Sequence, residues 1–306
     1  MKTVYTTTIT AEALRRGIGI RVLDAALPIF ELRHGGRSIR CYNALTDHVG
    51  AATFHLAQNK HAANGFLRAH GFPVPAQERF IDLAQAERFL RRWKSIVVKP
   101  CTQWGGRGVS VAVRTPRELR RAIKRAQDYE EMVALEQCVP GIDLRLILVN
   151  YRYVAAIQRH PAAVVGTGRH TIATLIRRHN QEAVARDASN RIPLDEETRR
   201  NLASWGLSLH SVPKAGRRVQ VRRTTNYHTG GMIDVVTGQV DKALVREATR
   251  IARSLRIPVI GIDFLVDRKS GRHWVVELSP DLAISPPEGE EVARHFLDYL
   301  FPETRQ

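Results

Sequence analysis

Residues 222–231 read Arg-Arg-Thr-Thr-Asn-Tyr-His-Thr-Gly-Gly, and this stretch decides the fold. Arginines and an amide ahead of paired glycines can hold phosphate oxygens through charge and close backbone approach. Further along, Asp263 and Glu277 each interrupt an apolar strand sequence, where an unpaired charge would be costly. If those strands pair, the two carboxylates suit the magnesium ion that accompanies a phosphate. The combination indicates a site for a nucleotide with magnesium, and a salt-bridged carboxylate pair is the alternative.

Composition and length describe an ordinary globular chain of 306 residues, 43% of them hydrophobic and 25% charged. That length is enough for one large domain or for two to three small ones. The N-terminal sequence has no apolar signal-peptide core, and no apolar run is long enough to span a membrane. The scattered residues Cys41, Cys101 and Cys138 indicate neither a disulfide framework nor a zinc site. We therefore expect a cytoplasmic protein.

The formal net charge of +17 raises the question of a nucleic-acid partner. The basic residues do not cluster, because helical stretches such as 117–125 and 246–256 interleave them with Glu and Ala. The sequence also contains no zinc-finger spacing, RNA-recognition signature or basic arm. These observations argue against nucleic acid. An anionic substrate and a merely solvated basic surface are both left open.

Strand-like and helix-like segments are mixed along the chain, which predicts two α+β lobes. Hairpins are predicted from residues 29–33 with 37–42, 144–149 with 153–159, and 261–266 with 273–278. Helices are predicted at 11–17, 44–57, 60–70, 242–255 and 290–300, and a long polar insertion at 161–215. Residues 115–118, Thr-Pro-Arg-Glu, form a capping-box sequence that opens a helix to about Gln127.

A second phosphate-binding feature follows an apolar strand sequence that ends at Lys99. The loop Gly105-Gly106-Arg107-Gly108 comes shortly after it. Glycines let backbone N–H groups approach phosphate oxygens, and the lysine adds a point charge. The stretch is neither a Walker loop nor a dinucleotide fingerprint. A plain glycine turn between two strands is the alternative interpretation.

Asp143 and Arg145 form a third candidate within Gly-Ile-Asp-Leu-Arg. Strand alternation places both side chains on one face. The acid can accept hydrogen bonds from ribose hydroxyls, and the arginine can hold an acyl phosphate or a γ-phosphate. A local ion pair is the alternative.

Taken in order, these motifs resemble the ATP-grasp superfamily, and specifically the ATP-grasp region of cyanophycin synthetases, over about residues 25–289. The matching stretches are 26–35 with Lys60 and 71–75, 97–100 with 106–109, 136–137 with 140–145, 166–171 with Asn180, 222–226 with 229–231, and 261–264. The resemblance implies an α+β ATP-grasp fold, with two α+β lobes enclosing the nucleotide after a small N-terminal α/β unit. The expected division is 1–57 for that unit, 58–135 for the lid lobe with the glycine loop, and 136–306 for the C-terminal lobe with an insertion at about 160–215.

The resemblance also implies a role for each matching residue. Asp263 and Glu277 would bind magnesium, and Ser279 stands where the family has the asparagine of Glu-x-Asn, which puts a second metal site in doubt. Lys60 and Lys99 would contact the phosphates of ATP, which the loop residues Gly106, Arg107 and Gly108 would cover. Glu136 and the backbone at Val139 would meet adenine, and Asp143 would bind the ribose. Arg145, Arg223 and Asn226 would steady the γ-phosphate and an acyl-phosphate intermediate.

The activity that the resemblance implies is ATP-dependent joining of a carboxylate to an amine, with ATP and Mg²⁺ as cofactors. Amino acids or acidic peptides are the expected substrates, with no membrane or nucleic-acid partner and with a homo-oligomer common among relatives. The chain is expected to act without the family's N-terminal and Mur-ligase-like domains. One alternative is an ATP-binding regulator of the same fold without ligase activity. The other is a nucleic-acid-binding protein explained by charge alone.

Overall fold

The computed structural model describes residues 4–24, 26–186, 190–282, 284 and 288–305. Within them the chain divides into two compact units, each assembled from separated segments. The first contains residues 1–74, 144–158 and 235–306, and the second contains residues 75–143 and 159–234. The expected division at 1–57, 58–135 and 136–306 used contiguous segments instead.

The described helices and strands follow each other in this order: α1 (Val4–Arg15), β1 (Gly19–Val22), β2 (Ile29–His34), β3 (Arg37–Tyr42), β4 (Leu45–Thr46), α2 (Ala51–Gln58), α3 (Lys60–Ala69), β5 (Gln77–Arg79), α4 (Leu83–Trp93), β6 (Ile96–Pro100), β7 (Ser110–Val113), α5 (Pro116–Gln127), β8 (Val133–Gln137), β9 (Ile142–Val149), β10 (Arg152–His160), β11 (Ala163–Val165), α6 (Ile172–Arg186), α7 (Glu196–Ala203), β12 (Arg218–Gln220), β13 (Met232–Val235), α8 (Lys242–Leu255), β14 (Val259–Val266), β15 (His273–Ser279) and α9 (Gly289–Leu300). None of these helices is long and apolar enough to cross a bilayer.

The first unit contains an antiparallel sheet in the order β1-β2-β3-β4, with α1 packed against α9. The predicted hairpin of β2 and β3 is confirmed, and it turns at Gly35 and Gly36, whose φ angles are +53° and +77°. Ile9, Leu32 and Phe296 are fully buried in the core that the sheet shares with the two helices.

A second sheet has the strand order β13-β10-β9-β14-β15. The predicted hairpin of β14 and β15 is confirmed, and its register places Asp263 directly opposite Glu277. The register shifts between Asp263 and Phe264, which is a β-bulge beside the two carboxylates. Helix α8 packs against β14 through an apolar stripe that includes Leu244, Ala248 and Ile251.

The second unit has its own sheet in the order β5-β8-β6-β7, packed against α4 and α5. The predicted capping box is confirmed, because the Thr115 hydroxyl accepts from the Glu118 amide while the Glu118 side chain accepts from the Thr115 amide. A smaller core joins α6 and α7 to the two-stranded ribbon of β11 and β12. Strand β11 and helices α6 and α7 lie in the predicted insertion, and β12 follows it. Residues 187–189 of the insertion are outside the described residues.

One helix prediction was wrong in part, and one helix was not predicted. Residues 44–50 are not helical, because Leu45 and Thr46 pair with β3 and the Asp47 carboxylate accepts from the Arg40 amide at 3.1 Å. Helix α4 was not predicted, although Asp82 caps it by accepting from the Gln85 amide at 2.7 Å. Ala86, Phe89 and Leu90 recur at helical spacing and are buried in the core, so the sequence does carry a signal for this helix.

Candidate active site

One group of predicted site residues lies on a single face of the hairpin of β14 and β15 in the first unit. Asp263 is fully buried, and its partner Glu277 across the strands is half-buried. Directly opposed residues of an antiparallel pair project to the same face. Ser279 is opposite Gly261, two residues before Asp263, so it shares that face.

Arg145 holds this group together from the neighbouring strand β9. Its Nε lies 2.6 Å from Asp263 Oδ1, and its Nη2 lies 2.9 Å from Asp263 Oδ2. The same Nη2 donates to Ser279 Oγ at 3.2 Å. A Cβ added to Gly261 would be 3.4 Å from Arg145 Cδ and 3.0 Å from Leu282 Cδ1. Gly261 therefore leaves the space through which the arginine side chain reaches Asp263.

Lys60 brings a second cation to the group. Its Nζ lies 3.2 Å from Glu277 Oε1. Asn59 fixes the start of α3 by accepting from the amides of His61 and Ala62, so Lys60 occupies the first helical position. Each predicted metal-binding carboxylate thus has a cationic partner.

The oxygen atoms of Asp263, Glu277 and Ser279 fit a magnesium ion chemically. A carboxylate oxygen with more than one lone pair can accept from arginine and also bind a metal. Among the described residues there is no cluster of three or more His, Cys, Asp and Glu side chains that could hold a metal by itself. The oxygen donors of Asp263, Glu277 and Ser279 suit a hard cation that takes its remaining ligands from phosphate and water.

Glu288, beside α9, is a carboxyl group that the sequence analysis missed. It is buried, and its Oε2 has no hydrogen-bond partner within the described part of the chain. Burial raises the pKa of Glu288, and the positive charge of Arg145 opposes that rise. Glu288 begins the sequence Glu-Gly-Glu-Glu at 288–291, and such a polar stretch gives no signal for burial.

A second group of predicted residues lies in the second unit, where Lys99 and Glu136 form a buried ion pair. Their side chains come from the adjacent strands β6 and β8, and Lys99 Nζ is 2.8 Å from Glu136. Glu136 also accepts from Gln77 Nε2 at 2.7 Å. Lys99 was predicted at the phosphates and Glu136 at adenine, and their contact with each other was not predicted.

The glycine loop between β6 and β7 approaches Asn226. Gly105, Gly106 and Gly108 have φ angles of +71°, +73° and +70°, which favour glycine. A Cβ at Gly106 would be 3.9 Å from Asn226 Cβ, whereas one at Gly108 would be 2.8 Å from Pro100 Cγ. Gly108 is therefore required by packing as well as by its backbone conformation, and Gly106 lies beside the residue predicted to steady the γ-phosphate.

The predicted ribose ligand Asp143 has partners that were not predicted. Arg159 donates to its Oδ1 through Nη2 at 2.8 Å and through Nε at 3.0 Å. Thr225 donates to its Oδ2. The motif at 222–231 is thereby tied to Asp143. Val139, whose backbone was predicted to meet adenine, is buried just after β8.

The two arginines of the motif have different surroundings. Arg222 is buried and donates to Asp195 Oδ1 at 2.6 Å and to Thr198 Oγ1 at 3.0 Å, so it serves the fold. Arg223 donates to Asn201 Oδ1 at 3.2 Å and to Ser204 Oγ at 2.8 Å, both neutral groups. Burial and the nearby charges of Arg200 and Arg114 lower the pKa of Arg223. This excess of positive charge suits an anion.

Known proteins identify the class to which this fold belongs. No protein-family model matches the chain. A bifunctional glutathione synthetase from Pasteurella multocida matches 98% of this chain and 43% of its own, with a TM-score of 0.66 and 23% identity. The ATP-grasp ligase PsnB, solved with a minimal precursor, Mg and ADP, matches 83% and 60%, with a TM-score of 0.51 and 14% identity. These likenesses show that the chain has the ATP-grasp fold, and the predicted α+β fold is confirmed.

Within that class, the chain resembles the ATP-grasp region of cyanophycin synthetases. It is 30% identical to the cyanophycin synthetase of Trichormus variabilis over 315 residues, which is 97% of this chain and 35% of the relative. The chain thus spans about a third of the length of that relative. The resemblance to that region, predicted from the motifs, is confirmed.

Proposed function

We propose that the chain is an ATP-dependent ligase that joins a carboxylate to an amine through an acyl phosphate. The observation that carries the proposal is the sheet face on which Asp263 lies opposite Glu277, with Arg145 and Lys60 as their cationic partners. The similarity to ATP-grasp ligases supports it.

The reaction needs no side-chain nucleophile. A carboxylate oxygen of the substrate bonds to the γ-phosphorus of ATP as the bond to the ADP oxygen breaks. The amine nitrogen then bonds to the acyl carbon, phosphate leaves with the bonding electron pair, and the nitrogen loses a proton. The protein's contribution is positioning and the neutralisation of charge.

The residues on the hairpin of β14 and β15 and the residues of the second unit would have different roles in this reaction. Asp263 and Glu277, with Ser279, would hold magnesium, which when bound neutralises phosphate charge. Arg145 fixes Asp263 in place, and Arg223 with Asn226 would bind the transferred phosphoryl group. The nucleotide would contact Lys60, Lys99, Gly106, Arg107, Gly108, Glu136, Val139 and Asp143.

Small carboxylates and amines, such as amino acids or short acidic peptides, are the proposed substrates. The net charge of +17 favours anionic substrates. We further propose that the protein acts in the cytoplasm and forms a homo-oligomer, as the resemblance implies.

The proposal is tested by phosphate release from ATP with pooled amino acids and short acidic peptides, followed by mass spectrometry of the product. We expect magnesium-dependent release that requires both a carboxylate and an amine.

Glu277→Gln should abolish release with the fold intact, because Glu277 is half-buried and tolerates an isosteric amide. Arg223→Ala should lower the rate by orders of magnitude, whereas Glu290→Gln, at an exposed carboxylate, should leave it unchanged. Near-normal ADP production by Glu277→Gln would overturn the metal assignment.

A nucleotide-binding protein without ligase activity is the second candidate. Ser279 favours it, because its hydroxyl replaces the family's amide and already accepts from Arg145 at 3.2 Å. ATP binding without any turnover across the substrate pools would support this candidate and overturn the first.

A further inference from the structure

The ribbon of β11 and β12 in the second unit has one buried face and one open face. Val164 is opposite Val219 in the register, and both side chains are buried in the core with α6. Strand alternation places Ala163 and Gln220, which oppose each other, on the other face. Arg218, two residues before Gln220, shares that open face and is exposed.

A cavity of about 350 Å³ is lined by this open face and by residues at the ends of β10 and β13. His160 and Pro161 contribute one side, and Met232 and Asp234 contribute another. His160 Nε2 lies 2.8 Å from Asp234 Oδ2, and the Asp234 side chain is 68% exposed. The cavity is therefore open to solvent.

The cavity is separate from the predicted nucleotide ligand Asp143. Arg159 precedes His160 on β10 and makes the ion pair with Asp143. Successive side chains of a strand point to opposite faces. His160 and the cavity therefore lie on the other face of β10 from that ion pair.

The lining combines opposite charges with an apolar surface. Arg218 contributes a permanent positive charge, and Asp234 contributes a negative charge. Pro161, Ala163 and Met232 contribute apolar surface. A ligand that matches this lining carries a carboxylate, an ammonium group and an apolar body. The volume is at the small end of ligand pockets, which suits a single amino acid better than a peptide.

We propose that this cavity binds a free α-amino acid. The Arg218 guanidinium would hold the ligand carboxylate, for which its planar fork of N–H donors is suited. Asp234 would accept from the ligand ammonium, since a carboxylate has two oxygens and the 2.8 Å contact with His160 is made by Oδ2. The proposal does not depend on ligase activity, because none of these residues is assigned to that reaction.

The test is calorimetric titration of the full chain, without nucleotide, with L-leucine. The matched probes are 4-methylpentanoate, which lacks the amine, and 3-methylbutylamine, which lacks the carboxylate. We expect saturable binding of leucine and at least about tenfold weaker binding of either analogue, the change expected when one charged contact is lost. Failure of leucine to bind at tens of millimolar, or equal binding of 4-methylpentanoate, overturns the proposal.

Three variants locate the site. Arg218→Gln and Asp234→Asn should each weaken leucine binding by about tenfold or more. Asp234→Asn should leave any residual binding of 4-methylpentanoate unchanged, because that probe has no ammonium group. Arg217→Gln, at an exposed arginine that does not line the cavity, is the control and should bind leucine normally.

Thermal unfolding checks that each variant is folded. Unchanged leucine binding in both Arg218→Gln and Asp234→Asn would place the ligand elsewhere and overturn the proposal.

Discussion

Lys99 and Glu136 are 6% and 5% exposed, so each charge relies on the other for its compensation. Removing one member of such a buried pair leaves an uncompensated charge, whereas replacing both with apolar residues is often neutral. The pair therefore offers a way to separate the structural role of Lys99 from its predicted role at the ATP phosphates.

Lys99→Met should lower the free energy of unfolding by about 3–5 kcal/mol. The double variant Lys99→Met with Glu136→Leu should recover most of that loss in urea unfolding. If Lys99 binds phosphate, ATP affinity in calorimetry should stay low in the double variant. Lys124→Met, at an exposed lysine of α5, is the control. Normal ATP affinity in the stable double variant would remove Lys99 from the nucleotide site.

Gly261→Ala should impair the site with a limited effect on stability. The added methyl group is 3.0 Å from Leu282 Cδ1, which must give by a few tenths of an ångström, and 3.4 Å from Arg145 Cδ, so it crowds the arginine that holds Asp263. We expect overpacking to cost about 1–3 kcal/mol in unfolding, and the rate of phosphate release to fall more than tenfold. Gly238→Ala adds a methyl group in open space and is the matched control. A normal rate for Gly261→Ala would show that the site tolerates a methyl group between Leu282 and Arg145.

Individual helices and hairpins were predictable where residues close together in the sequence determine them. The hairpin of β14 and β15 has two apolar strands and a Lys-Ser-Gly turn, and its register brought Asp263 opposite Glu277 as expected. The partners of those carboxylates were not predictable. Lys60 is on α3 and Arg145 is on β9, far from both acids in sequence, and only the tertiary fold brings them together.

The capping box of α5 allows a test of whether a local sequence signal stabilises its helix. Thr115→Ala removes the hydroxyl that accepts from the Glu118 amide, and it should cost about 1 kcal/mol of stability. Thr115→Ser keeps the acceptor and should be close to the parent in urea unfolding. Equal losses in both variants would mean that the methyl group of Thr115, rather than the cap, stabilises the helix.

The charge of the whole molecule affects every anionic ligand. The chain has 47 Lys and Arg against 30 Asp and Glu, a net charge of +17. Salt screens long-range attraction, so ATP affinity should fall as NaCl rises from 50 to about 500 mM. Adenosine, which lacks the phosphates, is the control and should bind with nearly constant affinity. If both ligands respond equally to salt, the effect is not electrostatic attraction of the phosphates.

At the scale of the whole chain, motif order predicted the fold class, but composition did not predict how the chain divides. Residues 144–158 and 235–306 belong with the first 74 residues because strands and helices from these segments share one core. No change in composition marks those boundaries, since they fall inside or beside strands. The division therefore depends on non-local packing.

The packing of α1 against α9 has a consequence for synthesis of the chain. Arg16 Nη1 lies 2.6 Å from Asp298 Oδ1, a partner 282 positions later. At about 5–20 residues per second, a ribosome needs on the order of 15–60 s to make that intervening length. During that interval the apolar side of α1 is not yet covered by α9. We therefore expect it to be a binding site for a chaperone during translation.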